Sequence, residues 1–433
     1  MGRISIIFLA AFFLFPPIPG LGQEAAGNDL DRLIAEAVKN NPELKAKREQ
    51  AEAMKVRIKG SVALDAPQLG MEFYQTPIAS FPNPLDDQME IDYFIEQMFP
   101  LPGKLYAMKN SAKSSSEMAD QEYRSAEREL IMELKMAYYE LYLIQRKIAI
   151  NAENQKLVKS FVEIARKQYE VGMGNQADFL RAETELANLV KDGVKLEQDQ
   201  AIAEAELKRI LGRSNDLEFS AIPNIESEAP DITFERAKAI AKENNPELKM
   251  QEYNMAMSRA ELAYSRSDYL PDLMVRGMYK DMQDTPDDFW ALMIGVTLPA
   301  APWSNPAYSS RLKGNELDLK RSEAQYQSAE NMVNSDLKQA LAKINGNKKL
   351  IAHYRSTLIP QAEQTLNSTI SAYRTGKTEF LMVIDAYRML QMAREDCEMV
   401  LMEYMSGQAE LENVVGLSIE EIKQKLNLNK QET

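Results

Sequence analysis

The sequence predicts a mainly α chain with a small β part, in which a long helical hairpin is built twice and each copy carries a pair of strands. Three observations predict it. The hexapeptide Asn40-Asn41-Pro42-Glu43-Leu44-Lys45 recurs as Asn244-Asn245-Pro246-Glu247-Leu248-Lys249, an offset of 204 residues. The same offset carries Pro67 onto Pro271, Tyr169 onto Tyr373, Gly172 onto Gly376 and Gly212 onto Gly416, so the chain is an internal duplication. Glycine and proline number only 18 and 19 in 433 residues, which leaves helix formers in long uninterrupted runs. Twice, just past a proline, the apolar period changes from about 3.6 to 2.

Residues 1–22 read as a secretory signal: Arg3, an apolar run from Ile4 to Phe15, Pro16-Pro17, and the small residues of Gly20-Leu21-Gly22. The run is shorter than the roughly 20 residues that span a bilayer. No later segment reads as a transmembrane helix, so membrane insertion would have to use strands. The single cysteine, Cys397, offers no intrachain disulfide and no N-terminal lipid anchor. A net charge of −14 argues against nucleic acid as a partner, because that polyanion demands a basic surface.

The first helix is expected from Asp29 to Asn40, with Leu30, Leu33, Ile34, Ala37 and Val38 on one face. Asn41 can cap the next helix, with Pro42 at its first position and Glu43 near the positive helix end. Asn245-Pro246-Glu247 repeats that start. The hexapeptide is therefore helix punctuation, and each helix it starts runs about 20 residues toward Pro67 or Pro271. Strands follow. In the first copy Leu69, Met71 and Phe73 alternate with polar neighbours; then Met89, Ile91, Tyr93 and Ile95 face one way, and Glu90, Asp92, Phe94 and Glu96 the other. Loops rich in Pro and Asp (Pro77, Pro82, Pro84, Asp86, Asp87; Asp284, Pro286, Asp287, Asp288) separate the strands. The second copy gives Leu273 to Lys280 and Trp290 to Leu298, with Met274, Arg276, Met278 and Lys280 on one side. Strands of about ten residues suit a tilted transmembrane β-strand.

Lys104 to Tyr169 holds neither glycine nor proline and would reach about 99 Å as one helix. Its Leu130, Leu134, Ala137, Leu141, Ile144 and Ile148 keep coiled-coil spacing. Gly172 and Gly174 turn the chain, and the return helix ends at Gly212. The second copy runs from about Tyr308 to Tyr373, turns at Gly376 and returns to Gly416; Gly314, Gly346 and Pro360 are expected to interrupt it, with a kink near Pro360. The proline-started helix and the return helix, placed end to end, roughly match one long helix. The expected organisation is thus a signal (1–22), a first repeat (23–212, strand pair about 67–99), a linker (213–232), a second repeat (233–416, strand pair about 270–299) and a tail (417–433). Linker and tail would lie beside the middle of the rod.

Four strands cannot close a barrel, and open edges cannot face lipid. Several chains must share one: two copies give eight strands and a filled interior, three give twelve and a passage. The whole mature chain resembles the TolC family of outer-membrane channel proteins. The resemblance is carried by the paired Asn-Pro-Glu-Leu starts, the two strand pairs, and the turns Tyr169-Glu170-Val171-Gly172 and Tyr373-Arg374-Thr375-Gly376. It implies a homotrimer with a 12-stranded outer-membrane barrel, a periplasmic α-barrel, an equatorial belt, and a tripartite export system completed by a periplasmic adaptor and an inner-membrane pump. The turns at Gly172, Gly174 and Gly376 would face the adaptor. It also implies a periplasmic gate: Asp178 matches an aspartate that pairs with a tyrosine at Tyr373, and Asp385 matches one of two acidic positions at the constriction. The other is Met382 here. Asp178 reads equally as the cap of the return helix. Glu90, Asp92 and Glu96 are the acidic positions expected to face the lumen and favour cations.

Enzyme chemistry lacks its parts: no clustered His, Cys and Asp, no Gly-rich phosphate loop, no nucleophile elbow, and so no cofactor. His353 stands alone and reads as a solvated helix histidine; Cys397 reads as a small packing residue. Met250, Met255, Met257, Met389, Met392, Met399, Met402 and Met405 read as core filler, with a thioether ion path as the sharper alternative. The competing functions are a periplasmic coiled-coil adaptor or scaffold, and a duct for type I protein secretion.

Overall fold

The computed structural model describes residues 30–85, 89–213, 219–225, 228–283, 286–299 and 301–431. The expected signal, the Asp29 helix start, the loop residues Asp86, Asp87 and Asp284, parts of the linker and the last two residues lie outside the described residues. The first copy comprises α1 (Leu30–Asn40), α2 (Pro42–Gly60), β1 (Gln68–Tyr74), β2 (Glu90–Phe99), α3 (Pro102–Glu170) and α4 (Gln176–Leu211). The second comprises α5 (Phe234–Asn244), α6 (Pro246–Ser267), β3 (Leu273–Met282), β4 (Phe289–Val296), α7 (Asn305–His353), α8 (Ile359–Arg374) and α9 (Phe380–Val415), followed by α10 (Ile419–Gln431). Among the described residues no helix is long and apolar enough to cross a membrane.

The repeated asparagine does two jobs at once. The Asn41 side-chain oxygen accepts from the backbone N–H of Glu43 and Leu44, capping α2 at 2.9 and 3.0 Å. Its Nδ2 donates to the Ile210 carbonyl, one of the open carbonyls at the end of α4. Asn245 repeats the arrangement: its oxygen caps α6 through Leu248 N–H at 2.8 Å, and its Nδ2 donates to the Val414 carbonyl of α9 at 2.8 Å. One side chain thus closes the start of one helix and the end of another, so that α4 abuts α2 and α9 abuts α6. The glycine ending each return helix makes room for this. Gly416 has φ +80°, and a Cβ there would stand 2.5 Å from the Asn244 carbonyl oxygen; Gly212, at φ +66°, lies against Asn40.

α3 carries Pro102 in its first turn and then runs for 69 residues, ~104 Å. α2 and α4 pack along it, and so do α6 and α9 of the other copy. Of the seam expected from the sequence, Leu130, Leu134, Leu141 and Ile144 are buried, Leu134 and Leu141 fully, while Ala137 and Ile148 are partly buried. Two cores result. The larger, around Leu134, Leu141, Leu207, Leu337 and Leu411, lies at the two helix junctions and takes in Phe219, Ile222 and Ile232 of the inter-repeat segment and Ile419 and Ile422 of α10. The smaller lies toward the turns, between α3–α4 and α8–α9, around Phe161, Tyr387, Phe380 and Val383.

The second long helix corrects one expectation. α7 runs through Gly314 and Gly346 without a break, and a Cβ on either would meet nothing within 4 Å. Each glycine costs only about 1 kcal/mol, which cooperative packing overrides. Regular helix yields only before Pro360, as a single π turn over Tyr354–Leu358 that accommodates the missing N–H of that proline. The four strands form one antiparallel sheet in the order β1-β2-β3-β4, so the two strand pairs join through β2 and β3.

Asn245 is buried and its bond to Val414 is short, whereas Asn41 holds Ile210 at 3.4 Å. Asn245→Ala is therefore expected to cost ~2 kcal/mol, as the sum of a lost cap and a lost buried hydrogen bond. Asn41→Ala should cost about half that. Chemical denaturation followed at 222 nm checks the order; an equal loss at both positions would contradict the difference in geometry.

Candidate functional site

The sheet has two unlike faces. On one stand Leu69, Met71, Tyr93, Ile95, Trp290, Leu292 and Ile294, with Leu69 79% and Trp290 81% exposed. The other face is charged and internally paired. Arg276 lies directly opposite Glu96 and binds it at 2.5 Å, with its guanidinium 4.5 Å above the Phe94 ring. Lys280 lies opposite Asp92 and bridges it at 3.0 Å and Glu90 at 2.5 Å. Glu90, Asp92 and Glu96 therefore share one face, as expected, but they are not free charges. Each has a cationic partner on β3, and Asp92 is 5% exposed. The sequence did carry the signal, in Arg276 and Lys280 spaced to fall on one side of a strand; what it lacked was the register that sets them against β2.

The second site is at the far end, where α3 turns into α4 and α8 into α9. Both turns pass through a left-handed glycine, Gly172 at φ +75° and Gly376 at φ +69°. They close alike: Met173 N–H donates to the Gln168 carbonyl and Lys377 N–H to the Ala372 carbonyl, each at 2.9 Å. Gly174 is confined by contact, since a Cβ there would stand 2.9 Å from that of Gln168. The Gln168 side chain donates to the Arg374 carbonyl at 3.1 Å and ties one turn to the other. Between them lies a polar cleft of about 530 Å³ whose lining includes Asp178, Arg181, Tyr373, Gly376 and Glu379.

Asp178 and Tyr373 meet in this cleft. Asp178 is not the helix cap: Asn175 accepts from Ala177 N–H at 3.0 Å and caps α4, which leaves the carboxylate of Asp178 in the first turn. That corrects one of the two readings of Asp178. Tyr373 is 7% exposed, and its hydroxyl is buried without a hydrogen-bond partner among the described residues. Burial, and then the negative charge of Asp178, push its pKa up to about 12. The duplicated tyrosine behaves differently, for Tyr169 is 49% exposed. Asp385 is exposed one turn into α9, beside Arg388, and outside the cleft. Met382, at the second constriction position, is also exposed.

His353 is exposed at the end of α7. Cys397 is buried in α9, and burial pushes its thiol pKa up, which makes it an inert packing residue. The methionines of α9 divide: Met405 is buried, while Met389, Met392 and Met399 are exposed.

Comparison with known proteins bears on the family and the fold. The family model of the outer membrane efflux protein matches residues 33–213 and 239–417, one segment for each copy of the repeat. The chain is 21% identical over 320 residues to the outer membrane protein TolC of Vibrio cholerae, covering 71% of this chain and 72% of that protein. It is 21% identical over 302 residues to the cobalt-zinc-cadmium resistance protein CzcC of Cupriavidus metallidurans, covering 68% and 69%. Its fold superposes on the crystal structure of CusC with a TM-score of 0.78 at 18% identity, over 95% of this chain and 100% of that one.

The orphaned hydroxyl gives a prediction. Tyr373→Phe is expected to leave stability at neutral pH unchanged or raise it by up to ~1 kcal/mol, since no bond within the chain is lost. With the folded pKa at about 12 against about 10 for a free phenol, the neutral phenol's contribution is full below pH 10 and is lost as pH rises toward 12. The variant should therefore gain on the wild type across that window. Denaturation midpoints at several pH values check it; a constant difference from pH 8 to 12 would contradict it.

Proposed function

We propose, from the premise that this chain belongs to the outer membrane efflux protein family, that it forms the homotrimeric outer-membrane channel of a tripartite export system. Its cargo would be small molecules or metal cations, received from an inner-membrane pump and a periplasmic adaptor. The observation that carries this reading is the open sheet. Its four strands leave both β1 and β4 with a free edge and expose an apolar face. Unpaired N–H and C=O groups are not tolerated in hydrocarbon, so the edges call for further copies of the same sheet. Twelve strands from three chains close a barrel wide enough for a passage. The apolar face then meets outer-membrane lipid and the paired charges line the lumen. There Glu90, Asp92 and Glu96 act as half of a neutralised wall, which favours cations less than free carboxylates would.

The helical rods continue the passage into the periplasm. In this reading the turns at Gly172, Gly174 and Gly376 receive the adaptor. Asp178 and Tyr373 lie where the passage closes, and Asp385 lines its narrowest ring. A duct open at rest would leak, so closure has to be the resting state. Moving it from 99:1 closed to 1:99 takes about 5.5 kcal/mol. A hydrogen bond donated by Tyr373 to Asp178 across neighbouring tips supplies about 1.5–3 kcal/mol where sheltered, so three copies suffice and one does not.

Two outcomes are expected. Protein extracted in detergent from outer membranes after a carbonate wash runs as a trimer in native mass spectrometry and conducts ions in planar bilayers. A carbonate-soluble protein, or a folded monomer, would favour a periplasmic scaffold instead. Replacing Tyr373 by Phe together with Asp178 by Ala raises single-channel conductance and leaves the trimer intact. Conductance at the wild-type level would move the closure elsewhere.

A further inference from the structure

We propose, resting on the channel reading above, that Glu185 and Arg388 form a second tier of the closure. This brace holds the α8–α9 hairpin against α4 one heptad above the turn cleft and lets go when the duct opens. Glu185 lies seven residues past Asp178 on α4, about 10 Å farther along the helix. Its carboxylate is buried, the residue being 8% exposed. It accepts two hydrogen bonds from one guanidinium: Arg388 Nη2 to Oε2 at 2.7 Å and Nε to Oε1 at 3.3 Å. That is the two-pronged, charge-assisted geometry in which arginine and carboxylate hold most firmly.

The place of the pair gives it this role. Among the described residues it is the ion pair that joins α4 to α9. Nearby ties are weaker or lie elsewhere. Gln168 to the Arg374 carbonyl is neutral and exposed. Arg394 reaches Glu153 of α3 at 3.5 Å, and that carboxylate is 67% exposed and well solvated. Arg146 to Glu398 joins α3 to α9 and lies farther from the turns. Directly under the brace, Tyr387 packs edge-on against Phe161, their centroids 6.0 Å apart. The Tyr387 hydroxyl is buried without a partner among the described residues, beside the Glu185 charge. At this level the two hairpins meet across the smaller apolar core, of which this aromatic contact is part, with the Glu185–Arg388 pair as the charge-assisted link beside it among the described residues.

The duplication supplies an independent reason. Devices that each repeat needs in order to fold occur twice, as Asn41 and Asn245 do. At the same offset Glu185 falls on Met389 and Arg388 on Thr184, so neither partner is repeated. The pair joins α4 of the first copy to α9 of the second. It serves the relation between the two hairpins, which is the relation that has to change if the passage is to open. Parting the hairpins is also feasible at this point: the Arg388 side chain is already 54% exposed, so separation strands no arginine in a dry core.

The test is single-channel recording of the full-length trimer in planar bilayers. It compares wild type, Arg388→Ala, Arg388→Lys, Glu185→Arg, Arg388→Glu, and the double swap Glu185→Arg with Arg388→Glu. Native mass spectrometry and the thermal midpoint are measured on each. Arg388→Ala is expected to raise the ratio of open to closed dwell time about tenfold, which is ~1.4 kcal/mol. Arg388→Lys, with one prong, should fall between it and wild type. Each charge reversal should open the duct at least as far as Arg388→Ala, and the double swap should return the ratio to within about twofold of wild type, ~0.4 kcal/mol. A residue that merely stabilises the fold would lower the thermal midpoint and leave gating unmoved. If Arg388→Ala assembles poorly, Arg388→Gln takes its place. Wild-type gating in the assembled single variants overturns the brace and leaves the channel reading standing. So does a double swap as open as the reversals. A wild-type protein that conducts nothing overturns the channel reading, and the brace with it.

Discussion

The bond from an asparagine amide to the last carbonyls of another helix is the constraint on which the rest of this architecture depends. A helix end leaves four carbonyls unsatisfied and a helix start leaves four N–H groups. Stacking two helices end to end inside a protein buries both sets. Asn41 and Asn245 relieve part of that cost at each junction by accepting from one helix start and donating to another helix end. The proline after each asparagine removes one N–H that would otherwise need a partner. Because the junctions hold, helices of 19 and 36 residues lie in line beside one of 69. The larger core has formed around those junctions, and the inter-repeat segment and α10 pack there too.

Length match at one end sets the conditions at the other. With the helices fixed at the junctions, the strands emerge from α2 and α6 side by side and join as one sheet through β2 and β3. That register puts Arg276 across from Glu96 and Lys280 across from Asp92. An acidic wall was the natural expectation from β2 alone, and pairing across the two copies cancels much of it. Buried or half-buried carboxylates seldom remain unpaired, since desolvation without a partner is costly. In the proposed channel, ion preference would therefore depend on residues from both copies, and a change to Arg276 would alter it as directly as a change to Glu96.

Much of the fold was legible because its signals are local. Caps, first-turn prolines, terminal glycines and the two apolar periods act within a few residues, and the duplication let each be read twice. The turns at Gly172 and Gly376 followed from the same logic. Features that depend on separation in sequence were not legible. The partners of Glu90, Asp92 and Glu96 lie 180 to 190 residues away, in the other copy. Gly314 and Gly346 looked like breaks because propensity is local, whereas the packing that overrides it is not. Asp178 looked like a cap because caps are common, but Asn175 stands three residues earlier and takes that place. Tyr169 and Tyr373 are identical in local sequence position; only the tertiary fold buries one and leaves the other in solvent.

That last contrast explains how a duplicated chain makes a wall with an inside and an outside. The repeated residues specify a hairpin with a strand pair, and two such hairpins suffice to build the rod. They do not decide which hairpin lies nearer the axis, because a symmetric pair has no reason to choose. The choice falls to residues that break the repeat. Asp178 has Met382 at its counterpart position, Glu185 has Met389, and Arg388 has Thr184. These three departures lie at the turn end, where α8 and α9 lean on α3 and α4, and where Tyr373 has lost solvent while its twin has kept it. Fold and differentiation are thus written in different places: the fold where the two copies agree, and the relation between the hairpins where they do not.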